Sequence, residues 1–437
     1  MPASRLSIAA GRSRRCWPQC GMSPTPDSAR SRRLSRHVRP TDLQAVSQLI
    51  TLATHGLIDV TEGVHQAVRR RIGLSAGATP ERTGGLTGRV YQAVRGVTGA
   101  VGLGSGALVK ALLPLIDNPA AHEAPSPQRE AVLAALNGVL GDRLLAMGNG
   151  LAQAMELRLH DRVVQTGAAV DIAGAQPHLL LMVHGLCMND AQWRRNGHDH
   201  TDLLAPALQA TPLRLRYNTG LHIAANGREL AHRLEALADT WPVPLRHITI
   251  VGHSMGGLVA RSAVHHARQV GHRWPARLTN LVFLGTPHHG APLERAGHGV
   301  DVLLAASPFT LPFTRLGMLR SAGITDLRHG HVLDDDWQGR GRFDSPHDHH
   351  VPLPLPEGVA CFTVAATLAP QRGLLADRLT GDGLVPLRSA LGQHDEAARR
   401  LVFAKDSQRT VYRTGHLELL SSPVVAQQLV QWLAPSV

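Results

Sequence analysis

The stretch ITIVGHSMGG, residues 248–257, decides the fold. Its first four residues are β-branched, which favours a strand, and this pattern stops at Gly252. A helix is predicted to begin near Leu258. A serine on so sharp a strand-to-helix turn exposes its hydroxyl, and glycines two residues before and after it leave room for neighbouring backbone. The pattern therefore predicts that Ser254 is a nucleophile at the end of a buried strand.

Further strands and helices alternate on both sides of this turn. Met155–Leu159 alternates with period two, as an opening hairpin does, and Gly227–Leu237 is helical in pattern. Apolar strands that alternate with helices form a parallel sheet covered on both faces, so the predicted fold class is α/β. Ligands of such sheets gather at the carboxyl ends of the strands. The other predicted strands are His178–Val183, Leu213–Tyr217, His247–Val251, Leu278–Leu284, Ala360–Ala366 and Leu401–Ala404.

A serine hydroxyl needs a base, which a third group must orient. After a G-x-S-x-G turn of this kind, the acid and then the histidine follow along the chain. His416 comes after the last predicted strand, in a Thr-Gly turn that precedes an amphipathic helix. His288 and His289 precede every candidate acid. The sequence therefore predicts His416 as the base.

The acid is predicted to be Asp382, in the stretch GDGLVP at residues 381–386. Glycines on both sides of it allow a turn that directs the carboxylate inward. Asp377 is the rival, and Asp395 is a more distant one. Hydrolysis also needs donors where the oxyanion forms. We expect the backbone N–H groups of Met255 and Leu186 in this role.

Residues 178–437 resemble the lipase/esterase branch of the α/β-hydrolase superfamily, in particular triacylglycerol lipases and PGAP1-like hydrolases. The resemblance implies an α/β-hydrolase fold, acyl-ester substrates, no cofactor, and a triad of Ser254, Asp382 and His416. The matching stretches are VHGL (183–186), GHSMGG (252–257), LGTPHHG (284–290), DGLVP (382–386) and GHL (415–417).

Residues 151–437 are predicted to form the catalytic domain, with a cap insertion at about 291–358. Its apolar stretch Val300–Leu319 would select acyl chains, unless it is an ordinary packing helix. Residues 41–150 are predicted to form a helical accessory domain. Within it, Val97–Ile116 carries one charge, Lys110, but its four glycines and Pro114 make a packed or interfacial helix a better fit than a membrane span.

The formal charge is +12, but its distribution argues against a nucleic-acid groove. Residues 1–40 hold nine Arg and one acid, so +8 lies in a tail predicted to be disordered, and about +4 remains for the other residues. Only two residues are lysine, which indicates a GC-rich, bacterial source. No apolar secretion segment follows the tail, so we expect a cytoplasmic protein, peripheral to the membrane if the glycine-rich helix lies at its surface.

The four cysteines, Cys16, Cys20, Cys187 and Cys361, fit free thiols in a reducing compartment better than a zinc site. The run His347–His350 fits a solvated loop better than a metal site. The function predicted is therefore hydrolysis of carboxylic, acyl or lipid esters through an acyl-enzyme. Two alternatives stay open: acyl transfer on the same triad, and a membrane-associated binding or scaffold protein with a vestigial hydrolase domain.

Overall fold

A computed structural model describes Asp42, Gln92 and residues 127–166, 171–291, 321–338, 350–371 and 381–434. Several predictions fall outside these residues. They concern the Arg-rich tail, the segment Val97–Ile116, the apolar stretch Val300–Leu319 of the cap, and Asp377.

The described residues form one eight-stranded sheet with the strand order β2-β1-β4-β3-β5-β6-β7-β8. The strands β4, β3, β5, β6, β7 and β8, which are neighbours in this order, are parallel. Strand β1 pairs antiparallel with both β2 and β4. This confirms the predicted opening hairpin and the mostly parallel sheet. The strands are β1 Glu156–Leu159, β2 Arg162–Val164, β3 His178–Val183, β4 Ala210–Arg216, β5 His247–His253, β6 Leu278–Leu284, β7 Ala360–Thr367 and β8 Gln408–Tyr412.

Both faces of the sheet are covered, as continuous apolar strands require. In β3, Leu179 and Leu181 belong to one hydrophobic cluster, and Leu180 and Met182 belong to the other. Helices α3 and α4 pack in the first cluster, and α2 and α7 pack in the second. The α-helices are α1 Pro127–Ala146, α2 His200–Ala207, α3 Ile223–Asp239, α4 Met255–Gln269, α5 Ala322–His329, α6 Leu387–Ala390 and α7 Pro423–Leu433.

Helix α1 packs in the same core as α3 and α4. Glu130 of this helix pairs with Arg216 at the end of β4, and Asn218 Nδ2 donates to Gly141 O at 2.9 Å. On the other side, Ser321 Oγ donates to Gly138 O at 2.6 Å. The predicted division at residue 150 stays a prediction, but this helix on its N-terminal side is integrated with the sheet.

The path of the chain through the sheet places a crevice. From β3 the chain crosses to β4 on one side, and it then returns to form β5 on the other side of β3. Loops that leave two adjacent parallel strands in opposite directions separate at their carboxyl ends, and ligands bind in the gap. The loop that begins at His184 and the turn at Ser254 border this gap.

The last predicted strand, Leu401–Ala404, is wrong. Leu401 is buried, but Val402 is 82% exposed, and this segment forms no strand of the described sheet. The last strand is instead β8, whose residues are mostly polar. As an edge strand it pairs only with β7, so a polar sequence suffices there.

Two helix starts also differ from the sequence pattern. Helix α4 begins at Met255, immediately after the serine, rather than near Leu258. After β8 the chain forms a 3₁₀ turn, His416–Leu420, and the α-helix predicted from Leu417 starts only at Pro423, capped by the Ser422 side chain. In the part of the chain that the structure describes, no helix has the length and apolarity to cross a membrane.

Candidate active site

Ser254 occupies the turn between β5 and α4, with φ 54° and ψ −123°. A positive φ is uncommon for a residue with a side chain, and such a conformation costs on the order of 1–3 kcal/mol. Two backbone hydrogen bonds hold it: Ser254 N donates to Leu284 O at 2.8 Å, and Gly257 N donates to Ser254 O at 3.1 Å. The predicted strained strand-to-helix turn is therefore present.

The glycine two residues after the serine is required by close backbone packing. A Cβ atom on Gly256 would lie 2.2 Å from Val183 O, at the end of β3. Real Cβ atoms do not approach a carbonyl oxygen so closely, so any side chain here would push α4 away from the sheet. The first turn of α4 is thereby held against the strand beside β5, with its positive end beside Ser254.

Asp382 and His416 form a buried hydrogen bond. His416 Nδ1 donates to Asp382 Oδ2 at 2.7 Å, and each residue is 3% exposed. His416 N also donates to the Asp382 backbone oxygen at 3.0 Å, so the two residues are joined twice. With the proton on Nδ1, the other ring nitrogen, Nε2, carries a lone pair. This atom is buried and has no hydrogen-bond partner among the described residues.

The carboxylate of Asp382 is fixed by its own turn. Its other oxygen, Oδ1, accepts hydrogen bonds from Leu384 N at 3.0 Å and from Val385 N at 2.8 Å. One oxygen therefore serves the loop and the other serves the histidine. The arrangement orients the imidazole and suits the stabilisation of a positive charge on it.

The peptide Leu284–Gly285 links the serine to the histidine. Leu284 O accepts from Ser254 N, as described above. Gly285 has φ +58°, and a Cβ atom on it would lie 3.2 Å from both Cε1 and Nδ1 of the His416 ring. A glycine here thus leaves the space that the imidazole uses. Ser254 and the Asp382–His416 pair therefore lie near the same peptide, Leu284–Gly285, at the carboxyl end of the sheet.

The two expected oxyanion donors border the same place. Met255 is the first residue of α4, and Leu186 lies in the loop after β3, with both side chains buried. A Cβ atom on Gly185 would lie 3.0 Å from Ser254 Cβ, so this loop rests directly on the serine. Neither backbone N–H has a hydrogen-bond acceptor within the described ranges. Both are available to a negatively charged oxygen.

Comparison with known proteins agrees with this architecture. Residues 176–352 match the family model described as "PGAP1-like alpha/beta domain". The chain has the α/β-hydrolase fold. The resemblance drawn from the sequence motifs is confirmed at the level of the fold. No curated protein matches the sequence.

Solved structures similar to this chain include a lipase from Bacillus licheniformis in mature form, at 18% identity and a TM-score of 0.39 over 62% of this chain and 98% of that one. EstA from Clostridium botulinum shares 13% identity, with a TM-score of 0.34 over 60% of this chain and 88% of that one. A thermophilic esterase from Thermogutta terrifontis shares 15% identity, with a TM-score of 0.32 over 64% and 92%.

The rival residues have other environments in this structure. Asp395 is exposed and pairs with Arg388. His288 and His289 lie in the loop after β6, and burial lowers the pKa of His289 to about 4. Of the run 347–350 only His350 is described. No group of three or more His, Cys, Asp or Glu side chains is placed to hold a metal ion in the described part of the chain.

Two histidines that the sequence analysis did not assign hold the turn that carries His416. His253, next to the nucleophile, donates from Nε2 to His416 O at 3.2 Å, and its ring centroid is 4.8 Å from that of His416. His200, at the start of α2, donates from Nε2 to Leu419 O at 2.8 Å. The position of His253 inside the G-x-S-x-G pattern was the only available clue.

These two imidazoles are neutral. Burial lowers the pKa of His200 to about 4, and burial, with the nearby His416 ring, places the pKa of His253 well below its usual value. A neutral ring with its proton on Nε2 is the form that donates to a carbonyl oxygen. The histidine turn is therefore tied to β5 and to α2 by uncharged donors.

Proposed function

We propose that this chain is a serine hydrolase of carboxylic esters. The observation that supports this most is the buried Asp382–His416 hydrogen bond beside Ser254 at the crevice of the sheet. A buried carboxylate that fixes a histidine with one free ring nitrogen is the arrangement a general base needs. A strained serine at the start of a helix is the arrangement a nucleophile needs.

In the proposed mechanism, Ser254 Oγ attacks the carbonyl carbon of the ester while Nε2 of His416 takes its proton. The negative charge on the carbonyl oxygen is stabilised by the N–H groups of Met255 and Leu186. His416 then returns the proton to the leaving alcohol, and an acyl-serine remains. Water gives a proton to His416 and attacks the acyl-serine; the acid leaves as His416 returns that proton to Ser254 Oγ. Asp382 keeps the imidazole in the correct tautomer throughout.

The proposed substrates are esters with an apolar acyl group, including lipids. The support for an acyl chain is the apolar character of Val300–Leu319 in the cap insertion, together with the family match. Only two residues of that stretch are charged, Asp301 and Arg315, so it offers a charged group near the ester at most one opposite charge. We therefore expect chain length, not charge, to govern the rate.

A fluorophosphonate probe tests the nucleophile directly. The purified chain should gain one adduct mass, and peptide mapping should place the adduct on Ser254. The Ser254→Ala variant should gain none. Turnover of p-nitrophenyl esters from acetate to palmitate then tests the substrate class. A folded protein that neither takes up the probe nor cleaves any ester of the series would contradict the proposal.

A further inference from the structure

Two hydroxyl groups that follow β4 hold the loop from residue 184 to residue 188, which we call the oxyanion loop because it contains Leu186. The hydroxyl of Tyr217 donates to His184 O at 2.8 Å. The hydroxyl of Thr219 accepts from Cys187 N at 3.2 Å. Both side chains are buried, and neither belongs to the proposed triad or to its oxyanion donors. The oxyanion loop is therefore fixed to the end of β4 on both sides of Leu186.

The peptide between Gly185 and Leu186 is fixed as well. Gly185 O accepts from His184 Nδ1 at 3.0 Å and from Met188 N at 3.3 Å. Because a trans peptide is planar, its N–H points away from its C=O. The donors that hold Gly185 O therefore also set the direction of the Leu186 N–H. This N–H has no acceptor in the described part of the chain, so it is held in place and remains available to a substrate oxygen.

Tyr217 holds both the backbone and the side chain of His184. Besides the hydrogen bond to His184 O, its ring stacks on the His184 imidazole, with the ring centroids 4.5 Å apart and the planes 25° apart. The same imidazole donates to Gly185 O. Burial lowers the pKa of His184 to about 4 and raises the pKa of Tyr217, so the imidazole is neutral and the hydroxyl keeps its proton at neutral pH. Both donors are therefore present under working conditions.

Cys187, the residue after Leu186, has a strained backbone. Its φ is +59°, and such a conformation persists in a residue with a side chain only where the surroundings fix it. Thr219 holds its N–H on one side. On the other side lies α1, where a Cβ atom on Gly138 would be 2.3 Å from Cys187 Sγ and 3.0 Å from its Cα. The oxyanion loop therefore has no free space in which to relax.

We propose that Tyr217 is a positioning residue for ester hydrolysis, an inference that rests on the proposed function. It holds the oxyanion loop so that the Leu186 N–H meets the oxyanion, and Thr219 supports the same loop from the other side of Leu186. Tyr217 acts through His184 and Leu186, since its own hydroxyl is engaged with His184 O. The oxyanion exists only in the transition state and the tetrahedral intermediate. Loss of this support should therefore lower kcat and leave KM nearly unchanged.

Tyr217→Phe tests the proposal, because it keeps the stacked ring and removes the hydroxyl. We expect kcat for a p-nitrophenyl ester to fall about tenfold, less than the loss of about 10²–10³ for an oxyanion donor itself. A trifluoromethyl ketone with the same acyl chain supplies a second measurement. Ser254 Oγ adds to its carbonyl carbon, the serine proton moves to His416, and the ketone oxygen becomes an oxyanion. Its Ki should rise by about the same factor as kcat falls. Tyr412→Phe, which removes a hydroxyl from edge strand β8, should match the wild type.

A second pair of variants tests the other side of the loop. Thr219→Val keeps the volume but removes the acceptor of Cys187 N, so it should also lower kcat and raise Ki. Thr219→Ser keeps the hydroxyl and should restore both. A merely structural role would reduce the amount of active protein without changing Ki. Wild-type kcat and Ki in Tyr217→Phe, or a lower kcat with unchanged Ki, would overturn the proposal.

Failure of the proposed function gives a different result. A folded wild type that takes up no fluorophosphonate and cleaves no ester would overturn the proposed function, and this inference with it. An active wild type whose Tyr217→Phe variant behaves identically would overturn the role of Tyr217 alone.

Discussion

Ser254 and the Asp382–His416 pair lie at the same edge of the sheet, but different forces hold them there. The serine turn is built from ten consecutive residues, and close backbone packing fixes it, as at Gly256 against Val183 O. The acid and the base are 34 residues apart, and hydrogen bonds fix them, including the one of 2.7 Å that joins their side chains.

Because of this difference, the serine turn and the acid–base pair tolerate different substitutions. In the serine turn a single added methyl group is a steric error, whereas the loss of the hydroxyl leaves the packing intact. In the acid–base pair, a change of one atom in a side chain alters a hydrogen bond without changing the volume. Substitutions can therefore disturb packing and chemistry separately. An added methyl group should damage the packing of the serine turn, whereas an isosteric change in the acid–base pair should damage only its hydrogen bond.

Ser254→Ala should have the largest effect on rate. It removes the nucleophile but keeps the turn, so ester hydrolysis should fall by a factor on the order of 10⁶, the loss seen for the serine of another triad enzyme. The melting temperature should stay close to that of the wild type. Initial rates and thermal melts measure both, with Ser421→Ala as the matched control. Activity within tenfold of the wild type would rule out Ser254 as the nucleophile.

Asp382→Asn should come next. An amide neither fixes the acceptor tautomer of His416 nor stabilises the imidazolium, and the equivalent change in another triad enzyme costs about 10⁴ in kcat. Asp377→Asn, the matched variant at the rival position, should do little. Rates are measured beside circular dichroism so that misfolding is recognised. If the two variants exchange their behaviour, the acid is Asp377.

Gly256→Ala should lower both stability and rate. The new Cβ would displace α4 from β3, and a misplacement of about 1 Å at a catalytic group can cost about 10²-fold. Gly150→Ala is the control, because a Cβ on Gly150 meets no atom within 4 Å. Urea unfolding and kcat are the measurements. An unchanged kcat in Gly256→Ala would mean that packing does not position the serine.

His253→Leu should have a smaller effect. The His416 carbonyl loses its buried donor, and a cost of about 1.4 kcal/mol corresponds to about tenfold in rate. His253→Gln keeps a donor near the Nε2 position and should stay closer to the wild type. The readout is kcat against KM, with kcat expected to carry the loss. Equal losses in the two variants would show that only the size of the side chain matters.

The free energy of unfolding should decrease as the pH falls below about 6.5, independently of any effect on activity. Burial lowers the pKa values of His184 and His200 to about 4. Between about pH 6.5 and pH 4 the unfolded chain binds these protons and the folded chain does not. The stability present above pH 6.5 is therefore lost as the pH falls, by about 1.4 kcal/mol per pH unit for each such histidine. His200→Gln should flatten the dependence of Tm on pH, and an unchanged slope would contradict this.

Much of this fold could be predicted because long apolar runs encode buried strands. His178–Val183 and Leu278–Leu284 were predicted with their observed bounds, since both strands lie between neighbours and are covered on both faces. The edge strand β8 was missed, because pairing on one side tolerates polar residues. Leu401–Ala404 was chosen instead, since three of its four residues are apolar.

The candidate site likewise contains residues that the sequence predicts and residues that it does not. Ser254 stands in a pattern that local sterics impose, so the sequence alone predicts the observed turn. The Asp382–His416 contact was predicted from chain order, and the structure brings these two residues together. The roles of His200 and His253 were missed, since a histidine that donates to a backbone carbonyl leaves no pattern in the sequence.

Helix α1 lies before the segment that matches the family model, yet it contributes Ala135, Val139 and Leu144 to the core that also contains β3 and α4. Its polar contacts reach Arg216 and Asn218, at and just beyond the carboxyl end of β4, and Ser321, which caps α5. A helix bound in this way cannot leave without exposing the apolar surface beneath it. The α1 helix and the sheet should therefore unfold as one cooperative unit, and exchange of the buried amides of α1 should require the opening of β3.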